Sequence, residues 1–165
     1  MIKKVELNKS VTEHLGKHIE STLQSWFRYH IKEPVTYEQF STWQIPKHDI
    51  ESVYCGIELP EGKDAYPVKL TKTILGAKEV TNALVYSPLS AMAWHTNSNI
   101  EGTRLYYTFS LSNSVFKWKD PNTGQIHEDW DERGWTARQF TVSKENPLWH
   151  CIWTEGRRFS FGYNL

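Results

Sequence analysis

The spacing of apolar residues changes once along this chain, and that change sets what it can fold into. Val11, Leu15, Ile19, Leu23, Phe27 and Ile31 recur every four residues, which draws one apolar stripe down a helix. Pro34 stops that pattern, because the residue before a proline resists helical geometry. From residue 50 onward the period is two: Val53, Cys55, Ile57 and Leu59 alternate with Ser52, Tyr54, Gly56 and Glu58. Such alternation marks a half-buried strand. A helix with one apolar face, followed by many short strands, has to bury that face against a sheet.

The helix is expected over about 10–32, opened by a capping box formed by Ser10 and Glu13. An opening strand is expected around Ile2–Leu7, and residues 35–49 read as a short helix and a loop. After the strand at 53–59 comes a turn at Pro60–Asp64. Further strands are expected at 68–75 (closed by Gly76), 80–86, 92–97 and 103–111, the last with Leu105, Tyr107, Phe109 and Leu111 on one face. Val115–Lys119 and Gln125–His127 flank Asp120-Pro-Asn-Thr-Gly124, a hairpin signal with proline and glycine in the loop. An acidic loop at Glu128–Asp131, a strand at 136–142, and two late strands at 149–154 and 157–163 finish the chain. Strands at this spacing predict a mainly β fold with a flanking helix, a jelly roll (double-stranded β-helix) or barrel. The expected organisation is one domain over residues 1–165, with no repeat or linker dividing it.

Composition removes several function classes. Lys+Arg and Asp+Glu both number 19, which argues against the broad basic face of a nucleic-acid binder. No stretch approaches the apolar length of a membrane span, and Met1–Leu7 lacks the apolar run of a signal peptide. Cys55 and Cys151 stand far apart rather than in a C-x-x-C arrangement, so a reduced, cytoplasmic protein is expected. His14 and His18 lie one helical turn apart without the glutamate of an H-E-x-x-H pair, and read as surface residues.

The candidate chemistry lies in the second half. Residues two apart on a strand share a face, which places His95 with Asn97 and Arg158 with Ser160; a second lone histidine, His150, stands between Trp149 and Cys151. Each histidine taken alone fits a core residue bonded to a carbonyl. Together they fit a metal centre of few protein ligands, the arrangement of redox Fe(II) sites that leave positions open for substrate and oxygen. Arginine suits the carboxylate of a co-substrate, because its fork makes two charge-assisted hydrogen bonds; Arg157 is the rival of Arg158 for that role. Tyr106 or Tyr107 could add a hydroxyl, and Tyr107 is the one taken here.

Residues 94–165 resemble the core of the 2-oxoglutarate- and Fe(II)-dependent oxygenases, in the prolyl-4-hydroxylase-like branch. That branch reads H-x-D, a strand after an arginine, a looped hairpin, a glycine before an apolar strand, a late histidine, and an arginine or lysine near the end. The counterparts are His95-Thr96-Asn97, Arg104–Phe109, Phe116–Gln125, Gly134–Phe140, His150 and Arg158-Phe159-Ser160. The resemblance implies Fe(II) on His95, Asn97 and His150, and 2-oxoglutarate on Arg158, Ser160 and Tyr107. It implies hydroxylation of a C–H bond by O2, on a protein or peptide side chain such as proline.

The departure is Asn97, where the branch has a carboxylate. A neutral oxygen binds a divalent cation less well than a carboxylate does. Three readings stay open: Asn97 ligates through its amide oxygen; Glu101, Asp129 or Asp131 completes the site; or the fold persists without catalysis. The rivals to an oxygenase are a jelly-roll binding module for a peptide or carbohydrate, and a cupin-like metal protein that does not use 2-oxoglutarate.

Overall fold

The computed structural model describes residues 2–25, 34–47, 56–58 and 61–165. A short strand β1 (Lys3–Val5) leads into helix α1 (Lys9–Ser25). The helix is capped by Asn8, whose Oδ1 accepts from the Val11 N–H at 3.2 Å and whose carbonyl accepts from Thr12 N–H. A capping box at Ser10 would need Ser10 outside the helix, so that expectation is corrected by one cap two residues upstream. Val11, Leu15 and Ile19 are buried, with Leu23 packed against them. The part of the expected helix at 26–32, with Phe27 and Ile31, lies outside the described residues, as does most of the strand expected at 53–59.

Thr36 caps a short helix α2 (Tyr37–Ser41) with a full capping box to Gln39. After β2 (Gly56–Glu58) and a 3-10 turn at Gly62–Asp64 comes helix α3 (Tyr66–Leu75), where a strand was expected at 68–75. The β-branched content of that run suits a strand, but its punctuation suits a helix. Pro67 sits in the first turn, where its missing N–H is not needed. Gly76, at φ 63°, closes the last turn as Ala77 N–H reaches Lys72 O at 3.0 Å, a left-handed cap that glycine forms without strain.

Eight strands follow: β3 (Glu79–Tyr86), β4 (Ser90–His95), β5 (Gly102–Ser110), β6 (Ser114–Lys119), β7 (Ile126–Trp130), β8 (Gly134–Val142), β9 (His150–Thr154) and β10 (Arg158–Asn164). The predicted acidic loop is instead the end of β7, paired with β6 through Val115↔Trp130. Two antiparallel sheets result, ordered β1-β8-β5-β10-β3-β2 and β4-β9-β6-β7. The mainly β, jelly-roll architecture expected from the sequence is therefore the one observed.

The strands of the larger sheet turn one face to the helices and the other to the smaller sheet. Leu105 and Tyr107 of β5, with Phe159, Phe161 and Tyr163 of β10, meet Val11, Leu15 and Ile19 of α1 and Val68 of α3. His18 lies in this layer, 8% exposed, with its ring 6.4 Å from Phe161. Burial lowers its pKa, which corrects its reading as a surface residue. Between the sheets, Met92, Phe116, Phe140 and Ile152 form a second apolar cluster. On the outer face of the smaller sheet, Phe40 of α2 packs with Trp94, Val115 and Trp153. Cys151 is a free, buried thiol in that layer.

Candidate active site

The two sheets enclose a cavity of about 500 Å³, lined by His95, Asn97 and His150 from one side and by Arg158 and Ser160 from the other. Backbone register brings the histidines together. His95 in β4 stands directly across from His150 in β9. A bulge in β4 makes this possible: Ala93 and Trp94 together oppose the single residue Cys151. The extra residue reverses the alternation, so that Met92 and His95, three apart, both face inward while Trp94 faces out.

The rings lie 4.1 Å apart at 58°, and each is fixed in the same way. His95 Nδ1 bonds Ala93 O at 2.7 Å, and His150 Nδ1 bonds Leu148 O at 2.8 Å. A carbonyl can only accept, so Nδ1 carries the proton in both, leaving Nε2 as the lone-pair edge. His150 is stacked on Phe116 at 5.2 Å. Burial first, and then the neighbouring His95, hold its pKa well below the ordinary histidine value. It is a neutral imidazole, the state in which histidine ligates a metal.

Asn97 does not reach the site by strand alternation, because β4 ends at His95. It sits at φ 53°, in the left-handed region, which asparagine tolerates better than most residues. That turn brings its Nδ2 to 3.2 Å from His150 Nε2. The amide therefore donates to the lone pair that a metal would use.

The other carboxylates proposed for the site are engaged elsewhere. Glu101 accepts from the Lys144 N–H. Asp129 pairs with Arg138 and Lys4. Asp131, with its side chain 1% exposed, bridges Arg138 and Arg158 and accepts from Ser110. Among the described residues no group of three His, Cys, Asp or Glu is placed to hold a metal. The donor set at the histidines is two imidazoles and an amide.

Across the cavity, β10 presents Arg158 and Ser160 on the inward face. Arg158 is fully buried; its Nε donates to Asp131 Oδ2 at 2.8 Å and its guanidinium lies 5.4 Å over the Tyr86 ring. Burial pushes the Asp131 carboxyl up, but Arg158 and Arg138 overcome it and hold it well below the usual range. Arg158 Nη1 is buried without a hydrogen-bond partner, an unsatisfied donor on a charged group that a second carboxylate would meet. Arg157 does not line the cavity. Tyr107 does not either: it lies on the helix-facing side of β5, its hydroxyl accepting from Asn8 N–H. Its neighbour Tyr106 faces the cavity and stacks on Phe140 at 5.5 Å. Arg104 and Arg138, both 2% exposed, also line the cavity and were not singled out as site residues from the sequence.

The fold defines a class: a two-sheet antiparallel jelly roll with its cavity between the sheets. Among solved structures it is similar to a prolyl hydroxylase from Trichoplax adhaerens, in complex with a hypoxia inducible factor oxygen degradation domain peptide fragment. The TM-score is 0.56 at 13% identity, over 99% of this chain and 82% of that one. No protein-family model and no curated protein matches the sequence. No helix among the described residues is long and apolar enough to cross a membrane.

Proposed function

We propose that this chain is a 2-oxoglutarate- and Fe(II)-dependent oxygenase that hydroxylates a C–H bond, built as one jelly-roll domain. His95 and His150 would hold the iron through Nε2, with Asn97 turning its amide to offer Oδ1. Arg158 and Ser160 would hold the far carboxylate of 2-oxoglutarate. The observation that carries this reading is the facing pair His95 and His150, both locked through Nδ1, in one cavity with the unsatisfied Nη1 of Arg158. The residues fit the groups: two neutral imidazoles for a borderline divalent ion, and a buried guanidinium with a spare donor for a carboxylate.

The protein's own part is positioning. The carbonyls of Ala93 and Leu148 set the histidine tautomers, the outer-shell role that fixes ring orientation in metal sites. Asp131 and Tyr86 hold the Arg158 fork in place. Met92, Phe116 and Ile152 give the cavity an apolar wall on the histidine side, which limits competing water. Iron and 2-oxoglutarate, when bound, supply the oxidation: O2 places one oxygen in the substrate as hydroxyl and one in succinate, with release of CO2. A protein or peptide side chain is the substrate class suggested by the peptide complex of the similar structure.

Succinate formed from 2-oxoglutarate, Fe(II) and O2 tests the enzyme directly, with His95→Ala as control. If neither succinate nor Fe(II) binding is detected in the full chain, the reading is wrong. That no carboxylate among the described residues stands beside the histidines favours a second reading, a binding module of the same fold. In that case ligand affinity would be unchanged by His95→Ala.

A further inference from the structure

Arg104 is the cavity's most unusual charge. It is 2% exposed, and among the described residues it makes no ion pair. Its Nη2 donates to Ile100 O, while Nη1 is buried with no partner. Arg138 and Arg158 are compensated by Asp129 and Asp131; Arg104 has no such carboxylate among the described residues. A buried, unpaired guanidinium destabilises a fold unless something else meets it.

On the neighbouring strand, two residues before the one that faces Arg104, Gly162 lets the side chains around it pack closely. In the pairing of β10 with β3, Gly162 faces Asn82 while Tyr163 faces Val80, so Thr81 is an extra residue in β3. This bulge turns both Thr81 and Asn82 to the cavity. Opposite them stands Gly162, where an added Cβ would lie 2.4 Å from Thr81 Oγ1 and 2.5 Å from the Tyr106 ring. Thr81 Oγ1 and Asn82 Oδ1 are themselves buried without partners. Three unsatisfied polar groups therefore line the same cavity: two donors and an acceptor.

Arg104 is remote from Arg158. Along β10, Arg158 pairs with Ser110 and Asn164 with Arg104; six residues of antiparallel strand span roughly 20 Å. The side chains also lean apart. Arg104 reaches back to Ile100, before the start of β5, whereas Arg158 reaches to Asp131, beyond β7. A five-carbon dicarboxylate held by Arg158 cannot also meet Arg104.

We propose that Arg104, in the cavity it shares with Thr81 and Asn82, forms a second anion-binding pole that receives a carboxylate of the primary substrate. Asn82 Oδ1 then accepts from an N–H or O–H elsewhere on that substrate. The assignment to substrate rather than co-substrate rests on the proposal that 2-oxoglutarate occupies the Arg158 pole; the existence of the second pole does not.

The test uses the full chain at fixed ionic strength, by titration calorimetry, with and without saturating 2-oxoglutarate. The probes are two matched pairs: aspartate against asparagine, each blocked as the N-acetyl N-methylamide, and N-acetylglycine against its carboxamide. The first pair stands for an acidic side chain within a peptide, the second for a terminal or free acid. One acidic member is expected to bind, its neutral partner at least about tenfold more weakly, as loss of a charged hydrogen bond implies. Arg104→Gln removes that preference and leaves 2-oxoglutarate binding intact; Arg158→Gln does the reverse. A probe-free readout accompanies it: Arg104→Met raises the thermal midpoint of the ligand-free protein, because it deletes an unpaired buried charge. The proposal is overturned if neither acid binds the unaltered chain, if Arg104→Gln binds it equally well, or if it weakens 2-oxoglutarate as much as Arg158→Gln does. A lower midpoint for Arg104→Met would make Arg104 a structural residue and overturn it too. Failure of 2-oxoglutarate to bind at all refutes the oxygenase proposal instead, and the acid titrations without it still read the second pole.

Discussion

Asn97 is where the chemistry of this cavity turns. It supplies an amide to His150 Nε2, where a carboxylate would supply charge. Asn97→Asp is expected to tighten Fe(II) or Mn(II) binding by about tenfold or more, since a full negative charge beside a divalent ion is worth several kcal/mol even with substantial screening. Metal titration of the two proteins decides it; equal affinities would mean position 97 is not a ligand. Much at this scale was legible in the sequence. His95, His150, Arg158 and Ser160 all reach one cavity, as their order along strand-like segments implied. The route of Asn97 was not legible, because a left-handed residue past a strand end carries no periodic signal. Tyr107 was separable from Tyr106: it shares its parity with Leu105, and both face the helices.

At the scale of elements, caps and bulges decide what periodicity leaves open. Asn8, not Ser10, holds the start of α1. Asn8→Ala should destabilise the fold by about 1 kcal/mol, and Ser10→Ala by much less, in denaturant unfolding; the opposite ranking would restore the capping box. The docking of α1 on the larger sheet depends on Leu15, fully buried in that layer. Leu15→Ala is expected to lose about 2–5 kcal/mol by the same measurement, and a loss well under that would mean the helix is only loosely seated. The sequence missed α3 because a ten-residue run of β-branched and polar residues fits either period. Its proline and glycine carried the answer.

For the whole molecule, the buried Arg138–Asp131–Arg158 network sets the response to acid. The Asp131 carboxyl is depressed in the folded chain, so the unfolded chain takes up its proton first as pH falls. The stability it contributes is full above the ordinary aspartate range near pH 4 and is lost progressively below it. Thermal midpoints are expected to fall gently below about pH 6.5, where the unfolded chain protonates His18 and His150 first, and more steeply below about pH 4 as Asp131 is protonated. Asp131→Asn should destabilise the neutral protein by roughly 3–5 kcal/mol, because it leaves two buried guanidinium groups without their shared counter-charge. It should also flatten the acid limb; an unchanged limb would assign the acid response to other carboxylates.

The sequence by itself determined the periods, and hence an amphipathic helix, a run of antiparallel strands and the order of the polar residues set among them. Local alternation is enough for that, because the side-chain period of each element is written within a few residues. Only the tertiary structure decided which residues meet. Two bulges, one in β4 and one in β3, shift facing by a residue and so turn His95, Thr81 and Asn82 into the cavity. Pairing across the sheets then decided the rest: Asp131 belongs to the arginines rather than to a metal, and Arg104 is left without a counter-charge among the described residues. Such outcomes depend on contacts between residues distant in the chain, which no local pattern records.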